Sequence, residues 1–303
     1  MRVELKKIIC ATDISDFSNH TISCGIALAQ EFNAKLFVCH VVDLTPNVFY
    51  GEAPIALIEY QKRIIDNAHE QIKAAIGDAR VDWEPLVIIG HPADEISRMA
   101  GEKEADLVIS ATHGRSGLKR LILGSVTGRL MRTLSCPLLI VRDPDQDLLA
   151  AAKQKGWFQR ILVGCDFSED SSLAFQYALS LAQEFESELH LVHVIEPSVY
   201  NMDLMKPSPL LGEELRQDLH KRLAEKLIDS VPAEALNWCT PKTVVLDGNP
   251  HEEIIHYAVS KDMDLIVLGI RGLGLVESLL VGSTTDRVAR RAPCPVLSVC
   301  HKA

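Results

Sequence analysis

The residues best suited to chemistry are glycines and hydroxyls clustered late in the chain. Gly269-Ile-Arg-Gly272 is followed, after nine residues, by Gly282-Ser-Thr-Thr285 and then by a helical stretch beginning near Asp286. Glycine lets a backbone approach a ligand closely. A Gly-Ser-Thr run entering a helix offers unpaired N–H groups and hydroxyls to an anion. An earlier segment repeats the pattern in altered form: Ala111-Thr-His-Gly114, nine residues, then Gly124-Ser-Val-Thr127. If the first position of the pattern needs a left-handed backbone, Ala111 impairs the earlier copy. Arg115, Lys119 and Arg120 also make that loop more basic than 273–281, which has no Lys or Arg.

The two segments belong to a whole-chain repeat. Ile8 to Asp13 matches Ile161 to Asp166, Leu28 to Phe32 recurs identically at Leu181 to Phe185, and His40-Val41 recurs as His193-Val194. Further on, Gly90-His-Pro matches Gly248-Asn-Pro, Asp106-Leu-Val-Ile matches Asp264-Leu-Ile-Val, and Cys136-Pro137 matches Cys294-Pro295. A repeat of this length sets the domain organisation: a first domain over 1–143, a linker over 144–157 and a second domain over 158–303. The stretch from Arg142 to Lys155 is rich in Asp, but Leu148 stands where a calcium loop needs Gly and Gln154 where it needs Glu, so it reads as a solvated linker.

Each copy alternates short Val/Ile/Leu runs with stretches of helical period. Strands are expected at Lys7 to Ala11, Lys35 to Val41, Trp83 to Ile89, Leu107 to Ala111 and Leu138 to Val141. In the second copy they are expected at Arg160 to Gly164, Glu188 to Val194, Lys242 to Leu246, Leu265 to Gly269 and Val296 to Val299. Runs apolar throughout suit strands covered on both faces. The fold class is therefore α/β: two repeats of a five-stranded open parallel sheet with helices on both faces, Rossmann-like in its doubly wound plan. Leu173, Ala174, Tyr177, Ala178 and Leu181 predict one helix face toward that sheet. Pro92 and Pro250 predict helix starts.

Composition narrows the function classes. Lys plus Arg number 31 against 41 Asp plus Glu, a formal charge of −10, which repels a phosphate backbone and argues against nucleic acid as partner. The longest apolar stretches are strand-sized, well short of the roughly 20 residues that span a bilayer. Met1 to Lys7 has no apolar signal region, so a soluble, cytoplasmic protein is expected. The eight cysteines form no C-x2-C pair and most sit in apolar runs, where they read as buried, reduced thiols. There is no G-x4-G-K-[ST], no G-x-S-x-G and no H-E-x-x-H.

The G-x2-G-x9-G-[ST] pattern resembles the ATP-binding motif of the universal stress protein family. The resemblance extends over nearly the whole chain through Cys10 to Ser15, Val163 to Ser168, and the closing segments Leu134 to Pro137 and Arg291 to Pro295. It implies an adenine-nucleotide-binding fold of the adenine nucleotide alpha hydrolase type, two copies packed as an internal pseudo-dimer that can dimerise again, and a role in stress response. It implies ATP as ligand, with Mg²⁺ held mainly by the phosphates. It places the adenosine end at Asp166 and Asp13 and an adenine backbone contact at Val194 and Val41. Phosphate contacts fall on Gly269, Arg271, Gly272, Gly282, Ser283, Thr284 and Thr285, and in the first copy on His113, Gly114, Gly124, Ser125, Val126 and Thr127. The second copy keeps every motif glycine and is the expected ATP site.

Plainer readings stand beside these. Asp13 and Asp166 precede helices, where Asp also serves in capping. His40 and His193 end apolar strands, where a histidine is more often packed and hydrogen-bonded than catalytic. The rivals to a nucleotide-binding regulator with an unidentified protein partner are an interaction or dimerisation protein of the same fold without nucleotide, and a slow ATPase. No catalytic residue and no protein metal site is read from the sequence.

Overall fold

A computed structural model of the chain describes residues 3–15, 18–43, 54–112, 123–142, 158–196, 209–237, 239–272 and 281–301. The chain divides into two compact units, one built chiefly on Glu4–Pro144 and the other on Asp145–His301. The expected linker, 144–157, lies outside the described residues, as do His113 and Gly114.

The first unit contains β1 (Lys7–Thr12), β2 (Lys35–Val42), β3 (Trp83–Ile89), β4 (Leu107–Ala111) and β5 (Leu138–Val141), ordered β3-β2-β1-β4-β5. Its helices are α1 (Asn19–Phe32), α2 (Pro54–Ile76), α3 (Pro92–Glu102) and α4 (Ser125–Thr133). The second unit repeats the plan with β6 (Arg160–Gly164), β7 (Glu188–Ile195), β8 (Lys242–Asp247), β9 (Leu265–Gly269) and β10 (Val296–Val299), ordered β8-β7-β6-β9-β10. Its helices are α5 (Glu169–Glu184), α6 (Pro209–Asp229), α7 (Pro250–Ser260) and α8 (Ser283–Arg291). Every strand pair within each unit is parallel.

The strands are apolar because both faces are covered. In the second unit Leu162, Val192, Ile266, Leu268 and Val296 pack with Ile254 and Ala258 of α7 and Val288 of α8, while α5 lies against β6 and β9. On α5 the fully buried stripe is Ala174, Phe175, Ala178, Leu181 and Ala182. Leu173 and Tyr177 are only half-buried. The buried face is thus rotated by about one residue from the expected one, with Ala174, Ala178 and Leu181 common to both. Pro92 and Pro250 open α3 and α7 as expected, behind His91 and Asn249 at the N-caps.

A matched clamp holds the central pair of strands. Asp106 Oδ2 accepts from the Lys6 and Lys7 N–H groups at 2.8 and 2.9 Å, and Asp264 Oδ2 accepts from Arg160 N–H at 2.8 Å. The Asp106-Leu-Val-Ile and Asp264-Leu-Ile-Val repeats therefore fix where β4 and β9 begin beside β1 and β6. The duplication reaches individual dihedrals. Ile14 and Phe167 (φ 58° and 64°), Asn33 and Glu186, and Glu104 and Asp262 all occupy left-handed backbone at matching positions. Among the described residues, no helix is long and apolar enough to cross a membrane.

Candidate functional site

Strand order reverses between β6 and β9, so α5 and α8 leave toward opposite faces of the sheet and open a crevice beyond the strands' carboxyl ends. Three segments line it: the turn after β6, the loop after β9 and the first turn of α8. The sequence assigned candidate residues to all three.

The turn after β6 is tightly wound. Asp166 Oδ1 accepts from Ser168 N–H at 3.0 Å and from the Ser168 hydroxyl at 2.6 Å, and Asp166 N–H donates to Ser171 Oγ at 3.1 Å. Ser168, not Asp166, caps α5: its hydroxyl accepts from Ser171 N–H at 3.2 Å. Between them Phe167 sits at φ 64°, a conformation costly for a bulky residue and held only by surrounding structure. The carboxylate of Asp166 is thus oriented by its own turn and keeps Oδ2 toward the β9 loop.

That loop approaches so closely that only glycine fits. A Cβ on Gly272 would lie 2.7 Å from Asp166 Oδ2, and one on Gly269 would lie 2.7 Å from the backbone of Asp170 and Ser171 at the start of α5. Neither glycine needs left-handed backbone; Gly77, Gly90 and Gly248 are the described glycines at positive φ. The reason expected for the first motif glycine is corrected accordingly: Gly269 is required by the close approach of α5 and not by its own dihedrals.

Arg271 serves this packing. Its Nε donates to Asp170 Oδ2 at 2.9 Å, its Nη2 to Oδ1 at 3.3 Å, and its backbone N–H to Oδ2 at 3.1 Å, while His301 N–H donates to Oδ1 at 3.2 Å. Asp170 is 4% exposed. Burial opposes its ionisation, but the Arg271 guanidinium and the two backbone donors hold its carboxyl below the ordinary aspartate range. Asp170 was not singled out from the sequence because it lies outside the glycine motif; an Asp in the first turn of a helix carries no distinguishing signal.

The first turn of α8 faces the same crevice. Gly282 is its N-cap, in extended backbone, and Gly282 N–H donates to Ile270 O at 2.8 Å, which ties the helix entrance to the end of β9. Ser283 is exposed and Thr284 half-buried. Thr285 is 4% exposed, and its hydroxyl donates to Gly269 O at 2.7 Å. Of the three hydroxyls, then, Ser283 and Thr284 face outward with the helix N-terminus, and Thr285 faces inward as a latch to β9.

At the end of β7, Val192 O accepts from Cys165 N–H and Ile195 O accepts from Gly248 N–H. Because peptide groups alternate sides along a strand, Val194 turns its N–H and C=O toward β6, which ends at Gly164. His193 Nδ1 donates to Cys165 O at 2.6 Å, and its ring lies 4.9 Å from that of Phe167, over which the Lys226 ammonium sits at 3.8 Å. Burial pushes His193 below its ordinary value, so it is a neutral, hydrogen-bonded residue. His40 makes the same bond to Thr12 O at 2.9 Å.

The first unit reproduces part of this. Asp13 Oδ1 accepts from Ser15 N–H and Oγ, Ile14 takes the left-handed position, and Val41 matches Val194. Gly124 caps α4 and donates to Thr112 O at 2.7 Å; Ser125 is exposed, Val126 half-buried, and Thr127 donates to Ala111 O at 2.6 Å. The entrance of the preceding helix differs. Ser18 caps α1 without a side-chain bond to its first turn, and α1 starts at Asn19, where the second unit's α5 starts at Glu169, the counterpart of Asp16. The methyl of Ala111 stands where Gly269 admits the start of α5.

Comparison with known proteins bears on both units. The universal stress protein family model matches residues 4–142 and again 158–299. This chain belongs to the universal stress protein family. Universal stress protein MJ0531 of Methanocaldococcus jannaschii is 35% identical over 144 residues, 47% of this chain and 85% of the relative. Universal stress protein Mb2028c of Mycobacterium bovis is 26% identical over 296 residues, 96% of this chain and 95% of the relative, so it shares the duplicated length. The crystal structure of a universal stress protein from Archaeoglobus fulgidus superposes with a TM-score of 0.71 over 98% of both chains at 22% identity, a likeness of fold.

Among its described residues this universal stress protein has no group of three or more His, Cys, Asp or Glu arranged to hold a metal ion. Seven of its eight cysteines are buried. Burial pushes the thiols of Cys10, Cys39 and Cys165 up to about 12, as expected for cysteines that serve as small apolar residues.

Proposed function

We propose that this universal stress protein is an ATP-binding regulator whose principal nucleotide site is the crevice of the second unit. The observation that carries the reading is the close seating of Gly272 against Asp166 Oδ2, opposite the open first turn of α8. A carboxylate acceptor, a glycine cradle and a helix N-terminus meet there at the strand-order reversal.

In this reading Asp166 accepts hydrogen bonds from hydroxyls of the adenosine end, and the Val194 peptide group meets the adenine edge. The N–H groups of Ser283 to Thr285, with the Ser283 and Thr284 hydroxyls, receive the phosphates, and Gly282 lets the backbone come close. Arg271 and Thr285 hold the loop and helix in place from behind. Mg²⁺ would be carried by the phosphates, which supply the negative charge that the described residues do not assemble. Binding rather than turnover is the proposed activity, because among the described residues no carboxylate group is assembled to hold a metal ion against the transferring phosphate.

Calorimetric titration of the full chain with Mg-ATP tests this. Asp166→Ala and Gly282→Val should each weaken binding at least about tenfold, without lowering the melting temperature of the free protein by more than a few degrees. Unchanged affinity in both variants would refute the site. The rival reading, an interaction surface without nucleotide, is favoured by one feature of the first unit, where Ala111 and the late start of α1 alter the crevice.

A further inference from the structure

The second unit has a cleft that the nucleotide reading does not use. It opens at the amino ends of β6, β7 and β8, the opposite end of the strands from Asp166, and has a volume of about 640 Å³. Arg160, Glu188, His190, Lys242, Tyr257 and Lys261 line it.

His190 is 2% exposed, yet both ring nitrogens are bonded: Nε2 lies 2.6 Å from Glu188 Oε1 and Nδ1 lies 2.8 Å from the Tyr257 hydroxyl. The same Glu188 oxygen receives the Lys242 ammonium, which keeps the carboxylate ionised and purely an acceptor. Nε2 must therefore carry the histidine proton. Burial keeps the ring neutral, so Nδ1 has a lone pair and Tyr257 donates its hydroxyl proton to it. With that proton committed, the tyrosine oxygen can only accept from a ligand.

The fold does not require this polar chain. At the matching positions of the first unit stand Phe37 for His190 and Met99 for Tyr257, both buried, with Lys35 and Glu84 exchanging the charges of Glu188 and Lys242. Lys35 and Lys103 there lie over the Phe37 ring at 5.2 and 4.9 Å. One unit closes the place with an apolar ring; the other keeps a hydrogen-bonded polar relay that opens onto a cleft. Charge points the same way. Arg160, Lys242 and Lys261 face Glu188 and Asp262, an excess of one cation in a chain of net charge −10.

We propose that this cleft is a second ligand site, for hydrogen phosphate. Lys261 and Lys242 meet the charge, and the Tyr257 oxygen accepts the remaining P–OH proton. Sulfate matches phosphate in size and charge but has no proton to donate. The site should prefer phosphate because a bound sulfate would set an oxygen lone pair against that of Tyr257. The inference is independent of ATP binding at the other end of the strands.

The test is two-dimensional NMR titration of the full chain with sodium phosphate and, separately, sodium sulfate, at neutral pH and matched ionic strength. Saturable phosphate shifts are expected at the amides of Thr243, Tyr257 and Lys261, with sulfate at least about tenfold weaker. Tyr257→Phe should erase the preference while leaving residual binding, and the exposed Lys261→Gln should weaken both anions about threefold or more. Phosphate shifts confined to Ser283 and Thr284 would overturn the proposal, as would equal response to the two anions, a preference that survives Tyr257→Phe, or indifference to Lys261→Gln.

Discussion

The Asp170 carboxylate ties together the support of the candidate site in the second unit. It is buried, it binds the Arg271 guanidinium and two backbone N–H groups, and it joins α5, the β9 loop and the residue after Cys300. Asp170→Asn keeps the shape but removes the charge from a buried pair, which should cost about 2 to 4 kcal/mol of unfolding free energy in denaturant titration. The pH dependence has a definite sign. A carboxyl held below its ordinary value contributes stability that is present above the unfolded pKa and is lost as pH falls through the folded one. The gap between wild type and Asp170→Asn should therefore be constant at neutral pH and shrink below about pH 4. A gap independent of acid would mean that Asp170 acts through packing alone. Gly269→Ala tests the same contact from the other side, since its Cβ would strike the backbone of Asp170 and Ser171. We expect about 1 to 3 kcal/mol of destabilisation from the forced shift.

At the scale of elements, the proposed site gives α8 two tasks, packing and ligand binding, that mutation can separate. Thr285→Val leaves the Gly269 carbonyl without its hydroxyl donor inside the core, for an expected loss of about 1 to 2 kcal/mol. Ser283→Ala, at an exposed position, should leave unfolding unchanged and weaken Mg-ATP binding a few-fold in calorimetry. The reverse pattern would assign Thr285 to the ligand. The sequence made the elements legible because buried parallel strands write continuous apolar runs, and eight-residue strands differ from expectation only at their ends: β2 and β7 run one residue further, to Val42 and Ile195. The candidate site was legible as far as its motif glycines. Its support was not. Asp170 looks like an ordinary first-turn acid, Thr285 like one more hydroxyl in a Ser-Thr-Thr run, and the left-handed Ile14 and Phe167 are residue types that give no hint of positive φ. Asp170 depends on partners more than one hundred residues away and Thr285 on one sixteen residues back, which local pattern does not record.

For the whole molecule, duplication makes the sharpest expectation one of stoichiometry. The two units share strand order, the Asp106 and Asp264 clamps and the paired left-handed positions, so the fold alone would give two sites. They differ in the residues behind the crevice. The positions of Asp170 and Arg271 are Phe17 and His113 in the first copy, and that of Gly269 is Ala111. The ion pair and the glycine that admits the start of α5 are both absent from the first copy, as expected when the parts of a packed arrangement are coupled. We expect calorimetry or equilibrium dialysis with Mg-ATP to find one nucleotide per chain, abolished by Gly282→Val and little affected by Gly124→Val. Ala111→Gly should leave the count at one, because restoring the space does not restore the Asp170 and Arg271 pair found in the second unit. Two equivalent sites in the unmodified chain would show that the Asp170 and Arg271 pair is dispensable for binding and that Asp13, Val41 and the first turn of α4 suffice.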